Sequence, residues 1–211
     1  MDDLAKKHYH HGNLANALRA TARVMLDEDG PEGVGLREVS RRIGVSATAA
    51  YRHFEGKNDL LASVAAGGFR ELSACIDAAM KRDDSLVGMG LAYVEFALGN
   101  RGLFRLMFGP ILIERSKYPE LNEATAAIFR FMQVVGTADR HPQEVKPETM
   151  AAWGLIHGLS SMCVDGLVPR ERVESLAQTI LTTACMPVSK VATWGFFEAQ
   201  PALSPALSSA A

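Results

Sequence analysis

Between Leu36 and Lys57, five cationic side chains (Arg37, Arg41, Arg42, Arg52 and Lys57) stand against two carboxylates, Glu38 and Glu55, in a chain whose formal net charge is −2. Guanidinium and ammonium groups at this density suit a surface that grips phosphates and reads base edges. Residues 1–60 as a whole hold nine basic and nine acidic side chains. The basic character is therefore local, and a uniformly basic nucleic-acid coat is excluded. Bond-breaking chemistry finds less support. Cys163 follows His157 by six positions, about 240° round a helix, so a thiol and a base placed this way point apart. His8, His10 and His11 crowd one end of the chain with no carboxylate fixed beside them, which is poor geometry for a metal. Neither a phosphate-cradling glycine loop nor a GxSxG nucleophile turn is present. No catalytic residue, metal or cofactor is assigned.

The elements that must position the basic stretch are two short helices around a sharp turn, LREVSRRI, GVS and ATAAYRHF. That layout is a helix-turn-helix. Leu36, Val39 and Ile43 form the face that the first helix buries, and Gly44 permits the reversal. Ser46 caps a second helix over about 47–53, and its start, Ala47, Thr48 and Ala49, is slim enough for the major groove. Arg52 has the donors to bond guanine O6 and N7 together, and a phosphate suits it equally. Thr48 with Ala47 or Ala49 can touch a thymine methyl.

Around this unit, apolar residues recur at helical spacing. Leu14, Leu18, Thr21, Ala22, Met25 and Leu26 predict a helix over 13–28, with Asn13 as its cap and DEDGPEG as its stop. Lys57 opens a long helix to about Lys81. Further helices are expected near 85–99, 101–108, 119–137, 147–167 and 170–186, divided by RG, GP, KYP, DRHP and VPR. Of 211 residues, 48% are apolar, 22% charged and 7% aromatic, the balance of a folded helical protein. The architecture expected is all-α: a three-helix head (8–56), a helical body (57–198), and an Ala/Ser/Pro-rich tail (199–211). Three cysteines, widely spaced, exclude a disulfide framework and suit a reducing cytoplasm. Every apolar run is broken well before the roughly 20 residues a membrane helix needs, so no membrane partner is expected.

The run GVS–ATAA–YRHF–EGK–NDLL resembles the helix-turn-helix motif of the tetracycline-repressor-type (TetR) family of bacterial regulators. Gly44, Val45, Ser46, Tyr51, His53, Phe54 and Lys57 fall on its fixed positions. YHHGNL (9–14) and LREVSRRIGVS (36–46) are similar too, so the likeness covers about 8–72. It implies double-stranded DNA as a partner. Ser46 then caps the recognition helix and reaches a phosphate, Tyr51 contacts a phosphate, and His53 contacts backbone or a base edge. Lys57 grips a phosphate at a helix N-terminus, and Phe54 falls to the core. Many members carry Thr where this chain has Leu36, and Arg37 replaces that missing contact.

MAAWGLIHGLSSM (150–162), with Trp153, His157 and Gly158, resembles the WHG-type C-terminal domain of one TetR subgroup, which implies a body that senses a ligand and dimerises. Trp153 and His157 share one helix face. They either pack together in the core or wall a pocket. The pocket expectation gathers Phe96, Phe104, Met107, Phe108, Phe129, Met132, Trp153 and His157 around a lipophilic small molecule, with His157 as polar anchor. Stripes at Met150, Trp153, Ile156, Ser160 and Val164, and at Val173, Leu176, Ile180 and Ala184, are expected to pair two subunits through helices near 147–167 and 170–186. The function expected is a ligand-responsive repressor on a near-palindromic operator. A helical carrier or enzyme with no DNA-binding role is the alternative.

Overall fold

The computed structural model describes residues 14–83, 85–135 and 147–184. The YHHGN motif with Asn13, the 187–198 segment and the 199–211 tail lie outside them. Helix α1 (Leu14–Gly33) buries Leu14, Leu18, Ala22, Met25 and Leu26, as its spacing requires. Gly30, at φ 67°, breaks the helix where the DEDGPEG stop was expected. Helices α2 (Leu36–Arg42) and α3 (Ala47–Ala50) complete the head. The long helix α4 (Lys57–Asp83) leaves it, followed by α5 (Leu86–Gly99), α6 (Arg101–Met107), α7 (Pro110–Ile113), α8 (Pro119–Val135), α9 (Pro147–Val164) and α10 (Val173–Ala184). Short 3-10 turns at Arg115–Lys117 and Arg170–Arg172 precede α8 and α10.

The described residues are helices and turns around one continuous apolar core that runs from Leu14 in α1 to Leu181 in α10. Head and body share it. Backbone N–H of Gly102 donates to Asp27 Oδ1 at 2.8 Å, and Arg23 bridges Glu71 of α4 and Asn100. Arg19 donates to Ser63 Oγ at 2.7 Å with its guanidinium over the Phe54 ring. Gly102 sets how closely α6 can lie on α1. A Cβ there would sit 2.4 Å from the Leu26 carbonyl oxygen, and backbone cannot rotate away. Gly102→Val is therefore expected to cost about 3 kcal/mol and to lower Tm by roughly 6–12 °C. Gly99→Ala, with open space around its added methyl, should leave Tm unchanged or raise it.

The stripe expected to face a second subunit is corrected on α9. Ile156, Ser160 and Val164 are buried inside their own subunit, where α9 packs on α5 and α10. The outward face carries Met150, Ala151, Gly154, Leu155 and Met162, with Leu155 48% exposed. The reason is that α9 is apolar on every side, so spacing alone does not choose a face. On α10, Val173 is likewise buried, and Leu176 and Ile180 lean on the core.

Candidate functional site

The head presents its second short helix on a rigid base. Gly44, at φ 73°, turns the chain in a conformation that costs other residues roughly 1–2 kcal/mol. Ser46 then caps α3, its side chain accepting from Ala49 N at 3.2 Å. The helix is shorter than the expected 47–53. It ends at Ala50, and Arg52 N and His53 N bond the carbonyls of Ala49 and Ala50, three residues back, in tightened turns. That tightening drops Phe54 into the core and leaves Tyr51, Arg52 and His53 exposed in a row.

Not every cation of the basic stretch is available. Arg41 is held by Glu38, and Arg42 by Glu28, Asp29 and Glu38. The Arg41 hydrogen bond holds the Glu38 carboxyl below its ordinary range, and Glu28 in turn raises Arg42. Arg42 clamps α2 onto the end of α1, and Arg41 pairs within α2 itself. Arg37 and Arg52, by contrast, are exposed and make no ion pair or hydrogen bond with the described residues. With Thr48 and Tyr51, also exposed, they form the free edge. Lys57 starts α4, and its Nζ donates to Glu32 O at 3.0 Å with Glu32 Oε2 at 3.4 Å. Glu32 is itself fully exposed, so a phosphate arriving at Lys57 competes with a solvated carboxylate.

In the body, α5, α6 and α9 converge on His157. Tyr93 Oη lies 2.8 Å from His157 Nδ1. Phe108 meets the imidazole edge-on at 4.6 Å, Trp153 stacks on it at 5.1 Å, and Phe104 lies at 5.4 Å. His157 also borders an open-sided cleft of about 170 Å³ with Phe104, Phe108, Val164 and Ser161, rimmed by Arg105 and Asp165. Arg105 donates to the Val164 carbonyl at 3.1 Å and to Asp165 at 2.9 Å, which closes the C-terminus of α9. A larger groove of about 540 Å³ separates Pro31, Glu32 and Lys57 from Arg105, Leu106 and Ile111. Lys57 is therefore on the wall between head and body.

Residues 18–64 match the domain described as bacterial regulatory proteins, tetR family, and residues 86–183 match the tetracyclin repressor-like C-terminal domain. The chain belongs to the TetR family. It is a DNA-binding transcriptional regulator. YobS of Bacillus subtilis, an HTH-type transcriptional regulator, is 24% identical over 166 residues, covering 76% of this chain and 85% of YobS. A solved structure from Rhodococcus sp. RHA1 is 27% identical with a TM-score of 0.70, covering 85% of this chain and 97% of that one. A tetR-family structure from Shewanella sp. PV-4 shares the fold at 20% identity and TM-score 0.56, covering 81% and 96%.

Within this TetR regulator the expected head residues (Arg37, Ser46, Ala47, Thr48, Ala49, Tyr51, Arg52, His53 and Lys57) lie on and around α2, α3 and the start of α4. Of the expected pocket residues, Phe104, Phe108, Trp153 and His157 come together. Phe96 and Met107 do not line the cleft; both are buried, and Met107 Sδ packs over Gly68 of α4. The side chains of Phe129 and Met132 lie outside the described residues. Sequence reasoning missed Tyr93, Arg105 and Ser161. Ser161 was within reach, one helical turn beyond His157, whereas Tyr93 and Arg105 arrive from other helices. Burial pushes His157 below its ordinary value of 6.5. The unfolded imidazole gains its proton before the folded one as pH falls, so this contribution is complete above 6.5 and lost below it. Between pH 7.5 and 5.0, Tm should therefore fall further for the wild type than for His157→Phe.

Proposed function

We propose that this regulator is a ligand-responsive repressor. A homodimer sets two heads on a near-palindromic operator of double-stranded DNA, and a small lipophilic effector releases it. The observation that carries the reading is the free edge of the head. Arg37, Thr48, Tyr51 and Arg52 are exposed, while neighbouring Arg41 and Arg42 are spent on internal ion pairs. Ser46, Ala47, Ala49 and His53 complete the contact surface, with Lys57 at the N-terminus of α4.

The outward faces of α9 and α10 pair the subunits in this reading. The effector occupies the cleft at Phe104, Phe108 and His157, with Trp153 stacked behind His157. A ligand there acts only through different affinity for the DNA-bound and free arrangements of the heads. The path lies through α6, which touches both the cleft and α1, and through α4, which begins at Lys57. No catalytic role is proposed, and a cytoplasmic location suits the DNA partner. No helix among the described residues is long and apolar enough to cross a membrane. The test is a mobility shift on the DNA upstream of this gene, repeated with lipophilic compounds. Sequence-specific binding lost on adding a compound supports the reading, and sequence-independent binding opposes it.

A further inference from the structure

The hydrogen bond between Tyr93 and His157 fixes what the cleft offers a ligand. Tyr93 is 3% exposed, and burial pushes its phenol far above the ordinary value, so the proton stays on oxygen. A buried phenol proton needs an acceptor, and His157 Nδ1, 2.8 Å from the Tyr93 oxygen, is the one within reach, so Tyr93 donates to it. Burial keeps His157 neutral at pH 7. With Nδ1 accepting, the imidazole proton is on Nε2. Nε2 has no hydrogen-bond partner among the described residues and is not sealed in.

We propose that the cleft beside His157 takes a small, flat, uncharged molecule bearing a carbonyl oxygen, which accepts from His157 Nε2–H. The proposal rests on the effector reading above and names the chemistry of that same site. Phe104, Phe108 and Val164 supply apolar walls, and a space of about 170 Å³ admits one aromatic ring with a short substituent. A pure hydrocarbon fills the walls but covers Nε2–H without pairing it. A carboxylate fares worse. Arg105 is already committed to Val164 O and Asp165, so an anion meets a neutral imidazole and the Asp165 charge.

Acetophenone, ethylbenzene and benzoate share a ring and differ in the group offered to Nε2–H. Their binding to the full chain is read by saturation-transfer NMR titration at pH 7.5. Acetophenone is expected to bind about tenfold more tightly than ethylbenzene, and benzoate more weakly than either. His157→Phe should erase the acetophenone advantage and keep ethylbenzene binding. His157→Gln, which retains an N–H donor, should restore part of it. Lys117→Ala, exposed and not on the cleft wall, should leave the preference in place. Equal affinities for acetophenone and ethylbenzene, tightest binding by benzoate, no binding of any probe, or a preference that survives His157→Phe would each overturn the proposal. Acetophenone bound in this way without release of DNA supports the cleft chemistry and removes ligand responsiveness instead. Release of DNA by lipophilic compounds with no acetophenone binding overturns the cleft chemistry and leaves the effector reading standing.

Discussion

Lys57→Ala is expected to weaken DNA binding about a hundredfold for all sequences alike. A charge-assisted hydrogen bond to phosphate contributes about 1.5 kcal/mol. Two heads lose roughly 3 kcal/mol, which is that factor. The plot of log affinity against log salt should flatten by about one unit per head, because one fewer phosphate is neutralised in each. Glu32 supplies the converse. Its carboxylate lies 3.4 Å from Lys57 Nζ in the free protein, so Glu32→Gln should strengthen binding to every sequence by several-fold. Arg52→Ala separates that residue's two roles. Relaxed preference at one base pair per half-site marks a guanine contact worth about 1–3 kcal/mol, and a uniform loss marks a phosphate. Fluorescence anisotropy over a salt series on a specific and a scrambled duplex measures all three. Unchanged affinity in both alanine variants would remove the head as the binding surface.

Leu155→Glu is expected to convert the protein to monomers at about 10 μM and to cost DNA binding more than any single head substitution. Leu155 projects from the outer face of α9 between Gly154 and Gly158, whose small size lets a partner helix come close. In the proposed dimer a two-fold axis would bring the two copies of this face together, so each interface would bury two carboxylates, at several kcal/mol apiece. The subunit fold should survive, because Leu155 is already 48% exposed within it. Ile156→Glu, one position further and buried at 5% exposure, should unfold the subunit instead. Sedimentation velocity on the two variants separates these outcomes, and a dimer that persists in Leu155→Glu would place the interface elsewhere.

The parts of the molecule readable in the sequence are those fixed by local rules. The turn at Gly44, the cap at Ser46, the stop at Gly30 and the length of α4 each follow from neighbouring residues, and each stands near where the spacing put it. Long-range pairing was not readable. Nothing near Arg42 in the sequence shows its partners Glu28 and Asp29, which α1 brings to it. The orientation of α9 was hidden by its apolar residues on every side, and only packing against α5 and α10 selected which of them face out. Helix α7, in a stretch that includes the GP punctuation, forms because Pro110 starts a turn that buries Ile111. Tyr93 lies 64 positions from the histidine it bonds, and nothing in its own helix marks it.

In the proposed assembly, two copies of the head read one site. Fluorescence anisotropy at fixed salt, titrating the purified chain onto a duplex from upstream of its own gene, tests it most directly. Saturation is expected at an even number of chains per duplex, with an affinity at least a thousandfold above that for a scrambled duplex of the same length. Equal affinity for both duplexes, or saturation at one chain per site, would contradict it.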